Sequence, residues 1–318
     1  MTTGLTIEIS EQDVELLVPT GGLDAGRVAK ELEHVWRLYG RGAARNTGKN
    51  IVATADPYRV QITLEADMPG YLLKKTIDET KPDGKTSKTI VTELTETVSE
   101  TTYRIHGGFT TDARTGAAGA LAAKYLAPRQ DAIAIIGSGN VARQFALAAQ
   151  ELFGPQEIRF ASRSEQSRQA FTEFLEANTG AAVRGYDLYD EQQRRAMLES
   201  VPVLFEAAPL NAPLALEEIA LMDESRHISS MTGDGLQHNF DEKVLLASAV
   251  VVDEEESARK NGELRFTPNA PVAGTVGKAS LGELDELNRE PSFYDSTGMG
   301  VSDLAAARLV AKVFTAFH

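Results

Sequence analysis

Residues 133–143 read IAIIGSGNVAR, an apolar run that breaks at glycine and resumes with helical spacing. Ala132 to Ile136 has the length and apolarity of a buried strand, and the apolar residues from Val141 to Leu152 recur at helical intervals. Between them Gly137, Gly139 and Ala142 satisfy G-x-G-x-x-A in the strand-turn-helix setting that dinucleotide binding requires. Gly137 permits the tight turn, Gly139 lets backbone approach a pyrophosphate, and Ala142 lets the helix pack closely. The helix N-terminus, with Asn140 and Val141 in its first turn, then faces the negative charge.

The same rhythm continues downstream. Ile158 to Ala161, Ala182 to Tyr186, Val201 to Ala207, His227 to Met231 and Ala249 to Val252 read as strands. Glu165 to Ala177 reads as a helix with Ala170, Phe171, Phe174 and Leu175 on one face. Strands alternating with helices at these lengths predict an α/β fold, a Rossmann-type doubly wound parallel sheet.

Before residue 115 the texture changes. Ile51 to Thr54, Arg59 to Glu65 and Lys88 to Ile105 are rich in β-branched residues with partial period-2 alternation, and KPDGK at Lys81 to Lys85 is a turn signal. A separate, mostly antiparallel region is expected there. The last segment, Val301 to Phe317, places Val301, Leu304, Ala305, Arg308 and Leu309 on one helical face and is expected to return to that region. The chain thus divides into residues 1–115 with 301–318, a discontinuous α+β domain, and residues 116–300, the nucleotide-binding domain.

The strand IRFASRS bears on the choice of nucleotide. NAD sites end this strand on an acid that accepts from the adenosine ribose; here Ser162 and Arg163 stand instead. A guanidinium suits a 2′-phosphate, so NADP(H) is favoured, with NAD(H) open if Arg163 only stacks or points to solvent.

Composition excludes several classes. The chain has no cysteine, which removes disulfides, thiolate nucleophiles and zinc-thiolate sites together. Its five histidines include no i, i+4 pair with an acid between, so no metal is expected. A formal charge of −14 argues against nucleic acid or an acidic membrane as partner. No apolar run approaches the roughly 18 residues of a membrane span, and MTTGLTIEIS lacks a signal-peptide pattern, so a cytoplasmic location is expected.

HGGFTTDARTGAAGALAAKYLA, IIGSGNVAR, HISSMTGD, VVVDEEESARKNGEL, LGEL and FYDSTGMGVSDLAAA together resemble, in that order, the ornithine cyclodeaminase and mu-crystallin family. The resemblance is strong from about Gly107 onward and looser before it. It implies a nicotinamide-binding domain joined to a substrate domain that also dimerises, hence a homodimer. It implies hydride exchange at the α-carbon of an amino or imino acid, as in imine and ketimine reductases and amino acid dehydrogenases. The alternatives within the resemblance are an ornithine or lysine cyclodeaminase with no net redox, and a noncatalytic mu-crystallin-like binding protein.

The resemblance also implies residues. Arg114 in DARTGAAG and Arg45 in GAARNTGK match arginines that hold the substrate carboxylate, where two guanidiniums converging would fix the α-carbon. Asp234 in MTGDG stands where the family keeps an acid at the end of a strand, suited to the substrate amine or a proton transfer, although a turn aspartate before Gly235 is equally natural. Ser296, Thr297 and Gly298 of DSTGMG match a segment near the nicotinamide. Thr115, Ala207, Ala208 and Pro209 match other cofactor-lining positions.

The departures fall in the first domain. MPGYL at Met68 to Leu72 follows the family, but the apolar-lysine-apolar strand expected next is replaced by LLKKTIDETKPDGKTSKT. Either Lys74 or Lys75 is the family lysine, and strand alternation would point only one of them inward. His106, where relatives have Asp, reads as a loop histidine.

Overall fold

The computed structural model describes residues 4–55, 58–82, 87–231 and 238–318. The chain divides into two compact units, Met1–Arg114 with Met299–His318, and Thr115–Gly298.

The first unit begins with β1 (Thr6–Ile9), α1 (Glu11–Leu17) and α2 (Ala25–Gly40). Five strands follow, β2 (Arg45–Ala55), β3 (Tyr58–Met68), β4 (Tyr71–Thr80), β5 (Ser87–Glu96) and β6 (Thr101–His106). They form a six-stranded sheet ordered β1-β6-β5-β4-β3-β2, antiparallel except for the β1-β6 pair. LLKKTIDET has therefore not lost its strand: it is β4, and it pairs along its full length with β3 and β5. One face of the sheet is read from alternate buried residues, Leu64, Ala66 and Met68 on β3, Leu73, Lys75 and Ile77 on β4, Ile90, Thr92 and Leu94 on β5. A lysine in that row is what hid the alternation.

The C-terminal helix returns to this unit and contacts β2 to β5 as well as α2. The apolar face of α2, Val28, Leu32, Val35 and Trp36, is buried, and Asp24 caps its first turn by accepting from the Arg27 amide at 2.8 Å. Trp36 Nε1 donates to Ser302 Oγ at 3.1 Å, which satisfies the indole in a dry contact. The returning helix begins at Gly300, where a Cβ would lie 2.7 Å from the Glu65 carbonyl oxygen, so glycine lets the backbones approach.

After α3 (Phe109–Leu126), within which the division falls, the second unit runs β7 (Ala132–Ile136), α4 (Asn140–Leu152), β8 (Glu157–Ser162), α5 (Glu165–Asn178), β9 (Ala182–Asp187) and α6 (Glu191–Leu198). It continues through β10 (Val203–Glu206), α7 (Leu216–Ile219), β11 (His227–Ser230), α8 (Glu242–Leu246), β12 (Ala249–Val252) and α9 (Glu255–Asn261). It closes with β13 (Val272–Thr275), α10 (Val276–Ser280) and β14 (Ser292–Asp295), and the chain ends with α11 (Gly300–Phe317) in the first unit.

The eight strands are ordered β13-β12-β14-β11-β10-β7-β8-β9 and every pair is parallel. Strands β7, β10, β11 and β12 are buried almost throughout, as a sheet covered on both faces demands. The strand order reverses beside β7: the chain moves outward through β8 and β9, then crosses to β10 on the other side. Ligands of open α/β sheets collect at the carboxyl ends of the strands at such a switch point.

Candidate active site

The second unit carries a nucleotide cradle at that switch point. Gly137 follows β7 with φ +112°, a conformation that L side chains rarely adopt, and its amide donates to the Ala161 carbonyl at 2.9 Å. A Cβ on Gly137 would stand 3.2 Å from that of Ala208, so the loop after β10 closes one wall of the turn. Gly139 is the N-cap of α4, has no side-chain cap bond, and has open space where a Cβ would be. No side chain of the described residues caps the N-terminus of α4, so its first amides, those of Asn140 and Val141 included, can receive an anion. At the end of β8, Ser162 is buried and its hydroxyl has no hydrogen-bond partner among the described residues. An orphaned buried hydroxyl beside a free helix N-terminus fits a bound dinucleotide, whose ribose or phosphate would satisfy it.

Arg163 is exposed. Arg168 lies under the same strand end, donating to the Ser162 carbonyl at 3.0 Å and pairing with Asp187 at 3.1 Å. The DSTG segment is held by Asp253, just past β12. Its carboxylate accepts from Ser296 Oγ at 3.1 Å, the Thr297 amide at 2.9 Å, the Gly298 amide at 2.7 Å and the Tyr294 hydroxyl. Ser296, Thr297 and Gly298 thereby have a fixed backbone, which sequence reasoning placed without its anchor. The Ala207 amide donates to the Ile136 carbonyl at 3.0 Å, which sets Ala207 and Ala208 beside the end of β7.

The first unit carries an ionic cluster. Lys75 points from β4 into the buried face and is 0% exposed, whereas Lys74 points to the opposite, exposed face. Lys75 Nζ donates to Asp303 Oδ1 at 2.6 Å and to Thr111 Oγ1 at 2.7 Å. Arg114 Nε donates to the same Asp303 oxygen at 3.0 Å. Two cations and one carboxylate leave a net charge of +1, which a single substrate carboxylate would neutralise.

Burial is the largest influence on Lys75 and lowers its pKa to about 8, Asp303 opposing and Arg114 reinforcing the fall. Burial also pushes the Asp303 carboxyl up, but Arg114 and Lys75 together outweigh it and hold the group below its usual range. A lysine of this kind can give up a proton near neutral pH.

Arg45 does not join this cluster. It sits directly across from Asp67 on β3 and forks onto both its carboxylate oxygens at 3.0 and 3.1 Å. Asp67 lies between the buried Ala66 and Met68, on the outer face of the sheet, so Arg45 faces away from Lys75. The structure does not bring Arg45 to Arg114; the second cation beside Arg114 in this cluster is Lys75. Asp234 and the end of the KPDGK turn lie outside the described residues. His106 ends β6, and its Nε2 lies 2.7 Å from Glu8 Oε2. Thr115 follows Arg114 on α3.

Asp303 was missed. Its signal was present in GVSDLAAARL, a lone acid in an apolar helix, since a carboxylate is buried only where something pairs with it. No group of three or more His, Asp or Glu able to hold a metal occurs among the described residues. None of their helices is long and apolar enough to cross a membrane.

A doubly wound sheet with a glycine turn at its switch point, in a chain whose other unit buries a lysine-arginine-aspartate cluster, defines a nucleotide-dependent class of protein. The chain belongs to the ornithine cyclodeaminase/mu-crystallin family, which it matches over residues 41–316. It is 26% identical to an alanine dehydrogenase of Archaeoglobus fulgidus, over 96% of this chain and 94% of that protein. An archaeal alanine dehydrogenase dimer with bound NAD shares its fold, with a TM-score of 0.84 at 24% identity over 98% of this chain and 97% of the other. So does the Thermococcus litoralis Δ1-pyrroline-2-carboxylate reductase in complex with NADH and L-proline, with a TM-score of 0.84 at 20% identity over 98% of both chains.

Proposed function

We propose that this protein is an NAD(P)-dependent oxidoreductase acting at the α-carbon of an amino or imino acid, working as an imine or ketimine reductase or as an amino acid dehydrogenase. The observation that carries the reading is the Lys75-Asp303-Arg114 cluster, a buried +1 site suited to one carboxylate, in a chain that also holds the dinucleotide cradle. The similarity to an alanine dehydrogenase along nearly the whole chain supports it.

When bound, the nicotinamide nucleotide supplies or accepts the hydride at the α-carbon. Gly137, Gly139, Asn140 and Val141 would receive the pyrophosphate, Ser162 and Arg163 the adenosine ribose and its 2′-phosphate, and Thr115, Ala207, Ala208 and the Ser296-Thr297-Gly298 segment would line the rest. Among the described residues Arg114 meets Asp303 through Nε, and its two terminal nitrogens would form the fork for the substrate carboxylate. In the reductive direction the imine nitrogen takes a proton, for which Lys75 and Asp234 are the donors in this chain. NADP(H) is the preferred form because Arg163 stands where NAD sites carry an acid. A homodimer is the proposed assembly, and the cytoplasm the proposed location; the archaeal alanine dehydrogenase structure is itself a dimer.

The test is turnover of NADPH and NADH with cyclic imino acids and with 2-oxo acids plus ammonia or methylamine, and of NADP and NAD with L-amino acids, followed by nicotinamide absorbance. Oxidation of cofactor with at least one imino acid is expected. No absorbance change with any substrate overturns the reading, and ammonia release from ornithine without an absorbance change would make the protein a cyclodeaminase.

A further inference from the structure

Asp303 lies in the FYDSTGMGVSDLAAA stretch without having been given a role there, yet it joins two of the first unit's buried cations. It is 1% exposed, sits on the returning helix α11, and spends a single oxygen on a strand lysine and a helix arginine from distant parts of the chain. Its second oxygen is buried and has no hydrogen-bond partner among the described residues. A carboxylate is kept in such a place, at a desolvation cost, only if its charge is used.

We propose that Asp303 is the positioning residue of the carboxylate site: without touching the substrate, it holds Lys75 and Arg114 side by side and keeps both usable as cations. The assignment rests on the carboxylate reading of this cluster given above. The groups facing Lys75 come from every element around it. Its neighbours across β3 and β5 are Leu64 and Thr92, which carry no charge. Thr111 and Arg114 come from α3, Asp303 comes from α11, and Lys88 on β5 acts from farther along its strand. Of these, only Asp303 favours the ammonium by its charge, while burial, Arg114 and Lys88 all oppose it. Removing that charge with the shape retained leaves two cations facing each other in a dry site, and the lysine is the one able to shed its proton.

The experiment compares wild type with Asp303→Asn and Asp303→Glu, using full-length protein. The Lys75 ammonium is followed by NMR of protein labelled at the lysine ε-carbon, its signal assigned with Lys75→Met. Affinity for pyrrole-2-carboxylate, an unreactive planar carboxylate, is measured across pH, and affinity for the nicotinamide nucleotide alone reports the integrity of the other unit. Asp303→Asn should move the Lys75 titration about 1–3 pH units lower. The alkaline loss of analogue binding should move with it, while nucleotide affinity stays unchanged. Asp303→Glu should keep the titration near its wild-type position and weaken the analogue several-fold by displacing the cations.

An unmoved Lys75 titration in Asp303→Asn, or analogue binding weakened equally at every pH, overturns the assignment and leaves the carboxylate reading intact. If Asp303→Asn does not fold, a Lys75 titration lost in Asp303→Glu overturns it instead. Failure of the wild type to bind any carboxylate, with the NMR titration shifting as expected, overturns the carboxylate reading and with it the positioning of a substrate.

Discussion

At the scale of single residues, the two adjacent lysines make the sharpest contrast. Lys75 lies in a buried row with Leu73 and Ile77, and Lys74 lies on the exposed face of the same strand. Lys75→Met should lower kcat/KM by about 100-fold or more, the scale of a lost proton donor, and Lys74→Ala should leave it close to wild type; steady-state kinetics with the best imino acid decides. The reductive rate should also fall as pH rises through about 8, since Lys75 is the acid only while protonated. Arg163→Ala should raise KM for NADPH about tenfold or more and leave KM for NADH nearly unchanged, because it removes a charge-assisted bond that only the 2′-phosphate can make. Residue types at Arg114, Ser162 and Arg163 were legible because each stands at a fixed offset from a motif. Asp303 was legible only as a lone acid in an apolar helix; its partners come from β4 and α3, and no local pattern names them.

At the scale of elements, the β7-turn-α4 unit was readable from its own residues. Its strand is apolar throughout, its helix has one buried face, and Gly137 takes a conformation that excludes a side chain. Gly137→Ala should cost about 1–3 kcal/mol through backbone strain and abolish tight nucleotide binding. A thermal midpoint that nucleotide no longer raises would be the sign, and an undiminished nucleotide shift would refute the role assigned to the turn. The strand β4 was harder to read. Alternation is the signal for a half-buried strand, and Lys75 breaks it by placing a charge in the buried row. The helix α2 had no counterpart among the elements read from the sequence, although Val28, Leu32, Val35 and Trp36 share a helical face, and the surface it covers, α11, is supplied by the far end of the chain.

At the scale of the whole molecule, pH ties stability to a set of buried groups in the second unit. Burial is the main cause that raises Glu263 to about 8 and Asp295 to about 7, against the amides of Asn239 and Leu264 that favour their charged forms. Both groups hold protons in the folded state that the unfolded chain has lost above its ordinary carboxylate range. Their contribution to stability is full below that range and is lost as pH rises through about 7 and 8. His227, lowered to about 3 by burial between Ser229 and Ser292, runs the other way, since the unfolded chain takes up its proton first. Its penalty is over once pH exceeds its ordinary 6.5, so the fall in stability should show cleanly from there to about 8. Thermal unfolding across that window should give a declining midpoint that flattens in Glu263→Gln; a flat wild-type curve would count against the buried acids.

The parallel sheet, the glycine turn and the family can be read from the residues alone, because strand and helix periodicity and glycine offsets are local properties of a chain. Which lysine faces inward, that Arg45 faces outward and that Asp303 joins Lys75 to Arg114 emerge only in three dimensions. Those are matters of register and of burial shared between distant segments. The free energy that fixes them arises when a charge leaves water and must find its counterion, which no stretch of sequence can show by itself.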